Sequence, residues 1–147
     1  MKKRIMIIGA GQSGKSTLAN WLNQTDRPLR KTQDAIYGRR TIDIPGAYLE
    51  NTWMYKYIIA LSQGASHILI LVDQSRPVEV YSPGFACIFT CPVTGIITKC
   101  DEHPENYDMC VRQLRRCGIQ EVILPISLRT GAGLAALERR LAATHAG

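Results

Sequence analysis

Residues 9–16 read Gly9-Ala10-Gly11-Gln12-Ser13-Gly14-Lys15-Ser16, a complete G-x-x-x-x-G-K-[ST] run, and its setting restricts the fold more than any other feature. The apolar stretch Arg4-Ile5-Met6-Ile7-Ile8 precedes it and reads as a buried strand. Thr17-Leu18-Ala19-Asn20-Trp21-Leu22 follows it and reads as a helix. Strand, glycine loop and helix N-terminus in that order wrap a di- or triphosphate in backbone N–H groups. Gly9 and Gly14 let the backbone turn and come close to the anion. Lys15 supplies positive charge for the β- and γ-phosphates, and the Ser16 hydroxyl can hold Mg²⁺. Gly11, Gln12, Ser13 and Thr17 complete the candidate nucleotide-binding set. A chance loop between a strand and a helix is the competing reading, and the flanking context argues against it.

Beyond the loop the chain alternates strand and helix, the pattern of a mostly parallel sheet covered on both faces. The first helix is expected over residues 15–24, a polar, basic loop over 25–34, and a short hairpin from 35–37 and 41–43 with Gly38 at its turn. With Asp43 only 27 positions after Ser16, the second strand is expected to be minimal or absent. A helix is expected over 52–62, its apolar face formed by Trp53, Tyr57, Ile58 and Leu61 and its end set by Gly64. Residues 67–72 make the strongest buried strand, followed by a Pro- and aromatic-rich connection over 76–92 and a strand over 93–98. Pro104 opens a helix striped by Tyr107, Cys110, Val111, Leu114 and Cys117 and closed by Gly118. A last strand over 121–126 and a last helix over 132–143 complete one domain spanning 1–147.

Composition excludes several classes. No apolar run approaches the ~20 residues that a membrane helix needs. The start, Met1-Lys2-Lys3-Arg4, superficially resembles the opening of a signal peptide, but the apolar run after it is short and the glycine loop stands where cleavage would occur. Five cysteines without a C-x-x-C pair, and three scattered histidines, read as reduced thiols in a cytoplasmic protein, not as a zinc site or disulfide frame. The formal charge of +6 is uneven: residues 1–42 carry nine Lys/Arg against two acids, and residues 43–147 nine against ten. The basic half holds the phosphate loop, so part of its excess can draw an anionic nucleotide. No aromatic-basic RNA motif accompanies it, which argues against a nucleic acid partner.

Two later segments select the base. Asp43-Ile44-Pro45-Gly46 is a D-x-x-G at a strand end, where the acid can hold Mg²⁺ through water and the Gly46 N–H can touch a γ-phosphate. Thr98-Lys99-Cys100-Asp101 stands at the end of another buried strand. An ionised Asp101 can accept from the N1–H and exocyclic amine of guanine, a donor pair that adenine lacks. The Lys99 stem can lie across the base. A helix cap before Pro104 is the plainer role for Asp101.

The order phosphate loop, D-x-x-G, T-K-x-D and Ser127-Leu128 resembles a small GTPase of the translation-factor type over nearly the whole chain. That resemblance implies a three-layer α/β P-loop NTPase fold with a mostly parallel central sheet flanked by helices. Lys31-Thr32-Gln33, the run from Asp43 to Asn51, and Ser82-Pro83-Gly84-Phe85 narrow it to a resemblance to the EutP/PduV family of ethanolamine- and propanediol-type bacterial microcompartments, on the PduV side. The resemblance makes Thr32 the first-switch threonine, a Mg²⁺ ligand beside Ser16 and Asp43, and places Lys15, Thr32 and Gly46 in catalysis. It assigns Thr98, Lys99, Asp101, Ser127 and Leu128 to the base.

Three departures from the GTPase pattern bear on function. Thr98 stands where Asn is commoner, which is expected to weaken the tie between base site and phosphate loop. Leu128 replaces a small Ala, which tightens the pocket. Ala47 occupies the place of a water-orienting Gln, so hydrolysis is expected to be slow unless Gln33, Arg30 or a partner supplies the missing group. The implied function is a small GTP/GDP- and Mg²⁺-binding protein with weak hydrolysis that helps organise or place a microcompartment, at its surface and in contact with a shell protein. One alternative is an ATP-dependent acetate kinase of the same pathway, with Arg39 or Arg40 near the phosphates. Another is a non-catalytic module that docks on the shell through residues 78–91, among them Val80, Tyr81, Phe85, Ile88 and Phe89.

Overall fold

The computed structural model describes residues 3–10, 13–23, 36–37 and 40–145. Its sheet has six strands in the order β2-β3-β1-β4-β5-β6. They are β1 Arg4–Ile8, β2 Ile36–Tyr37, β3 Thr41–Asp43, β4 Ala65–Asp73, β5 Val93–Thr98 and β6 Ile123–Pro125. All neighbours pair parallel except β2, which runs antiparallel to β3. The helices are α1 Lys15–Asn23, α2 Tyr55–Ser62, α3 Tyr107–Cys117 and α4 Leu134–His145. None among the described residues is long and apolar enough to cross a membrane.

Period-two alternation in the central strands divides the core. Ile5 and Ile7 of β1, with Leu69 and Leu71 of β4, bury against Leu18 and Leu22 of α1 and Leu137 and Leu141 of α4. Met6 and Ile8, with Ile68, Ile70 and Val72, bury against Ile58 of α2 and Cys110, Leu114 and Cys117 of α3. The product is the three-layer α/β fold, helix on sheet on helix. Strands buried on both faces explain why 67–72 reads as a continuous apolar run.

One polar residue lies within that run. His67, 1% exposed, has its two ring nitrogens 2.8 Å from Thr144 Oγ1 and 2.7 Å from Thr94 Oγ1. Arg140 Nε donates to Thr94 Oγ1 at 3.1 Å, and Thr144 Oγ1 donates to the Arg140 or Leu141 carbonyl. These roles leave Thr94 to donate to Nε2 and Thr144 to accept from Nδ1–H. The network fastens α4 to β4 and β5 at the strand ends opposite the glycine loop.

Two expectations fail in informative ways. The helix expected over 52–62 opens as a 3-10 turn, Thr52–Met54, before α2. Its supposed apolar face splits: Ile58 is buried, while Trp53 and Tyr57 are 62% and 46% exposed. Tyr57 packs on both Trp53 and Tyr48, with ring centroids 6.5 and 6.4 Å apart, so ring-on-ring contact replaces burial. Residues 78–91 do not form a free apolar surface. Tyr81 and Phe85 are buried, their rings stack at 5.7 Å, and the Tyr81 hydroxyl donates to the Leu71 carbonyl at 2.5 Å. Of the large apolar residues in that segment, only Val78 and Ile88 are exposed.

Candidate nucleotide site

The connections of β1 and β4 leave in opposite directions along the sheet, β1 toward β3 and β4 toward β5. In an open parallel sheet such a switch point opens a crevice at the carboxyl ends of the strands. The glycine loop follows β1 into that crevice, and Asp43, Asp73 and Thr98 stand at the ends of β3, β4 and β5 around it.

Gly9 admits no side chain, because a Cβ there would lie 2.5 Å from Ser13 Oγ and 3.1 Å from Leu71 Cβ. Gly14 has φ +96°, the left-handed region. The Lys15 ammonium donates to the Ala10 carbonyl at 3.1 Å, which folds the lysine back over its own loop. Burial disfavours its charge and lowers its pKa, and the nearby Asp43 carboxylate acts in the opposite sense. Asp43 mirrors this: burial raises its pKa, while Lys15 and a hydrogen bond from Ser16 lower it.

Ser16 Oγ lies 3.5 Å from Asp43 Oδ2, and Asp43 Oδ1 is buried without a hydrogen-bond partner among the described residues. A hydroxyl beside a carboxylate that keeps one oxygen unpaired suits Mg²⁺, a hard cation that takes oxygen donors and retains water. Ser13 Oγ is likewise buried and unpaired beside the loop. Gly46 begins a 3-10 turn, Gly46–Leu49, directly beyond β3, and Ala47 is exposed on it.

At the other end of the crevice, Thr98 corrects an expectation. Its hydroxyl lies 2.7 Å from the Ser13 carbonyl and 3.4 Å from that of Val72. The tie between base-side and phosphate-side loops is therefore made, by a shorter side chain than Asn. Lys99 adopts φ 56° and its ammonium pairs with Asp73 Oδ2 at 2.8 Å. Asp73 Oδ1 accepts from the Ser75 amide and hydroxyl at 2.8 and 2.6 Å. Asp101 accepts two bonds from Arg129, at 2.8 and 2.5 Å. Ser127 and Arg129 hold its carboxyl below the usual carboxylate range.

Of the candidates read from sequence, Gly9, Ser13, Gly14, Lys15, Ser16, Asp43, Gly46 and Thr98 gather at the glycine-loop end of the sheet. Lys99, Asp101, Ser127 and Leu128 stand on the two loops beyond β5 and β6, and Thr17 is exposed on the first turn of α1. Gly11, Gln12, Arg30, Thr32, Gln33 and Arg39 lie outside the described residues. Arg40 is not a phosphate-side residue. It precedes β3, at the strand end remote from Asp43, and its guanidinium donates to the Leu22 carbonyl near the C-terminus of α1 at 3.2 Å.

Sequence reasoning missed three residues. Asp73 stands at the end of the strongest strand, a signal that was available. Gln74 fixes the loop after β5 by donating to the Cys100 and Glu102 carbonyls at 3.1 and 2.7 Å. Arg129 follows Ser127-Leu128 directly, yet no spacing rule assigns it to Asp101.

The comparisons agree with this geometry. The sequence model of the PduV-EutP family, described as ethanolamine utilisation - propanediol utilisation, matches residues 2–143. The propanediol utilization protein PduV of Citrobacter freundii is 34% identical over 127 residues, covering 86% of this chain and 85% of that protein. Among solved structures, translation elongation factor SelB of Methanococcus maripaludis, in complex with a GTP analogue, superposes with TM-score 0.65 at 22% identity over 100% of this chain. An Era variant of Aquifex aeolicus, bound to GDP and aluminium fluoride, gives TM-score 0.66 at 22% identity over 96% of this chain. The chain spans 35% of that SelB chain and 56% of that Era chain. At such identities the likeness concerns the fold, a P-loop GTPase domain.

Proposed function

This chain belongs to the EutP/PduV family, and from that premise we propose that it is a small guanine-nucleotide-binding protein with weak GTP hydrolysis, serving to organise or place a microcompartment of the propanediol- or ethanolamine-using type. The observation that carries the nucleotide reading is the Thr98–Ser13 hydrogen bond, 2.7 Å long. It couples the strand that leads to Asp101 to the loop that would hold the phosphates. A ligand with a base at one end and a polyphosphate at the other fits that pairing.

In this reading the loop amides and Lys15 hold the phosphates, and Asp101 takes the two guanine donors. The Ser127 N–H already donates to the Ala132 carbonyl at 2.9 Å, which leaves the next amide, that of Leu128, for the base oxygen. Ser16 and Asp43, joined by Thr32, would hold Mg²⁺, which neutralises charge on the β- and γ-phosphates when bound. Ala47 cannot orient a water, so turnover is slow. Binding to a shell protein at the microcompartment surface is the family-level part of this proposal. Transfer of phosphate to acetate is the weaker reading, since the only described arginine nominated for it, Arg40, is bonded elsewhere.

Competition of GDP, GTP, ADP and ATP for the purified protein with Mg²⁺, wild type against Asp101→Asn, tests the assignment. The expected result is guanine preference in the wild type that Asp101→Asn relaxes. Equal or better adenine binding by the wild type, or ADP formation strictly dependent on acetate, overturns it.

A further inference from the structure

Arg129 does more than neighbour the base site. Its Nε and Nη2 donate to the same carboxylate oxygen, Asp101 Oδ2, at 2.8 and 2.5 Å. Two charge-assisted donors fill that oxygen's lone pairs. Guanine, on the reading proposed above, needs both Asp101 oxygens at once, one for N1–H and one for the exocyclic amine. The two demands conflict at Oδ2.

The geometry decides which partner yields. Asp101 is held in place: its side chain is only 13% exposed. The loop that carries Arg129 is fixed too, by Ser127 N–H to Ala132 O at 2.9 Å, Gly131 N–H to Ser127 O at 2.8 Å and Thr130 N–H to Ser127 Oγ at 3.2 Å. The Arg129 side chain is 76% exposed, and among the described residues its only ion-pair partner is Asp101. The mobile member is the guanidinium, which can leave by rotating its own stem.

We propose that Arg129 is a built-in competitor for the base-reading carboxylate and sets how strongly the site discriminates in favour of guanine's exocyclic amine. Hypoxanthine carries N1–H but no amine, so it needs one oxygen and can use Oδ1 while Arg129 stays on Oδ2. Guanine must displace Arg129 to gain its second bond. The wild type is therefore less selective for GDP over inosine diphosphate than its carboxylate alone would be.

The inference rests on the guanine reading, and the experiment separates their failures. GDP, inosine diphosphate and ADP affinities are measured with Mg²⁺ for wild type, Arg129→Ala and Arg129→Lys. Losing a positive charge changes the overall attraction for both anionic nucleotides alike, so the readout is their ratio. The GDP preference is expected to rise roughly two- to fivefold in Arg129→Ala, the range of an exposed ion pair removed as competitor, and less in Arg129→Lys. Far-UV circular dichroism checks that each variant is folded, and the exposed position tolerates both substitutions. A ratio unchanged or lower in both variants overturns the role of Arg129. A wild type that binds ADP as well as GDP overturns the guanine reading itself.

Discussion

Lys15 and Asp43 are enclosed together, and burial works against the charge of each more strongly than their mutual attraction supports it. Such a pair costs stability and is retained for what it binds. Asp43→Asn leaves the enclosed Lys15 charge without its carboxylate, so it is expected to lower the stability of protein prepared in EDTA by about 3 kcal/mol in urea denaturation, and to abolish the strengthening of nucleotide binding by Mg²⁺ in calorimetry. Asp101 gives the opposite case. Ser127 and Arg129 favour its ionised form, so its folded pKa lies under the ordinary value. A depressed carboxylate keeps its charge as pH falls and loses it only below that ordinary value. The preference for GDP over ADP is therefore expected to stay flat from about pH 8 to about pH 5 in a displacement titration. Single residues were legible where chemistry fixes both type and spacing, as in the glycine loop and in T-K-x-D. Arg129 and Gln74 were not, because their partners are set by how two loops fold toward each other.

Elements inherit their boundaries from burial. The strand over 93–98 and the short β2–β3 hairpin were readable because alternation and turn residues act locally. The stripe of α2 was misread because periodicity records which residues are apolar, not which meet a partner. Ile58 reaches the core, while Trp53 stays largely exposed with its ring against Tyr57. Ile58→Ala is expected to cost about 2–5 kcal/mol in urea denaturation, since it empties a filled site. Trp53→Ala is expected to cost under about 1 kcal/mol by the same measurement, despite removing the larger side chain. In 78–91 the sequence leaves a docking surface and a core-packing loop equally open, because irregular backbone carries no period; Tyr81 and Phe85 are covered.

At the scale of the molecule, the sheet keeps its two ends apart. His67, Thr94, Thr144 and Arg140 lock helix to strand at one end, and the loops that hold the candidate site emerge at the other. The topology was legible because parallel strands with helical crossovers admit few arrangements. The join between the two half-sites was not, since a threonine hydroxyl has no signature in sequence that says which carbonyl it will find. That hydroxyl has a consequence for fragments of a ligand. On the proposed reading, guanosine alone and magnesium pyrophosphate alone would each touch one side of the bond from Thr98 to Ser13, and whichever arrived first would spend the ordering that the other otherwise needs. The two pieces are expected to welcome each other: saturating pyrophosphate tightens guanosine binding in calorimetry, and replacing Thr98 with valine makes the fragments strangers.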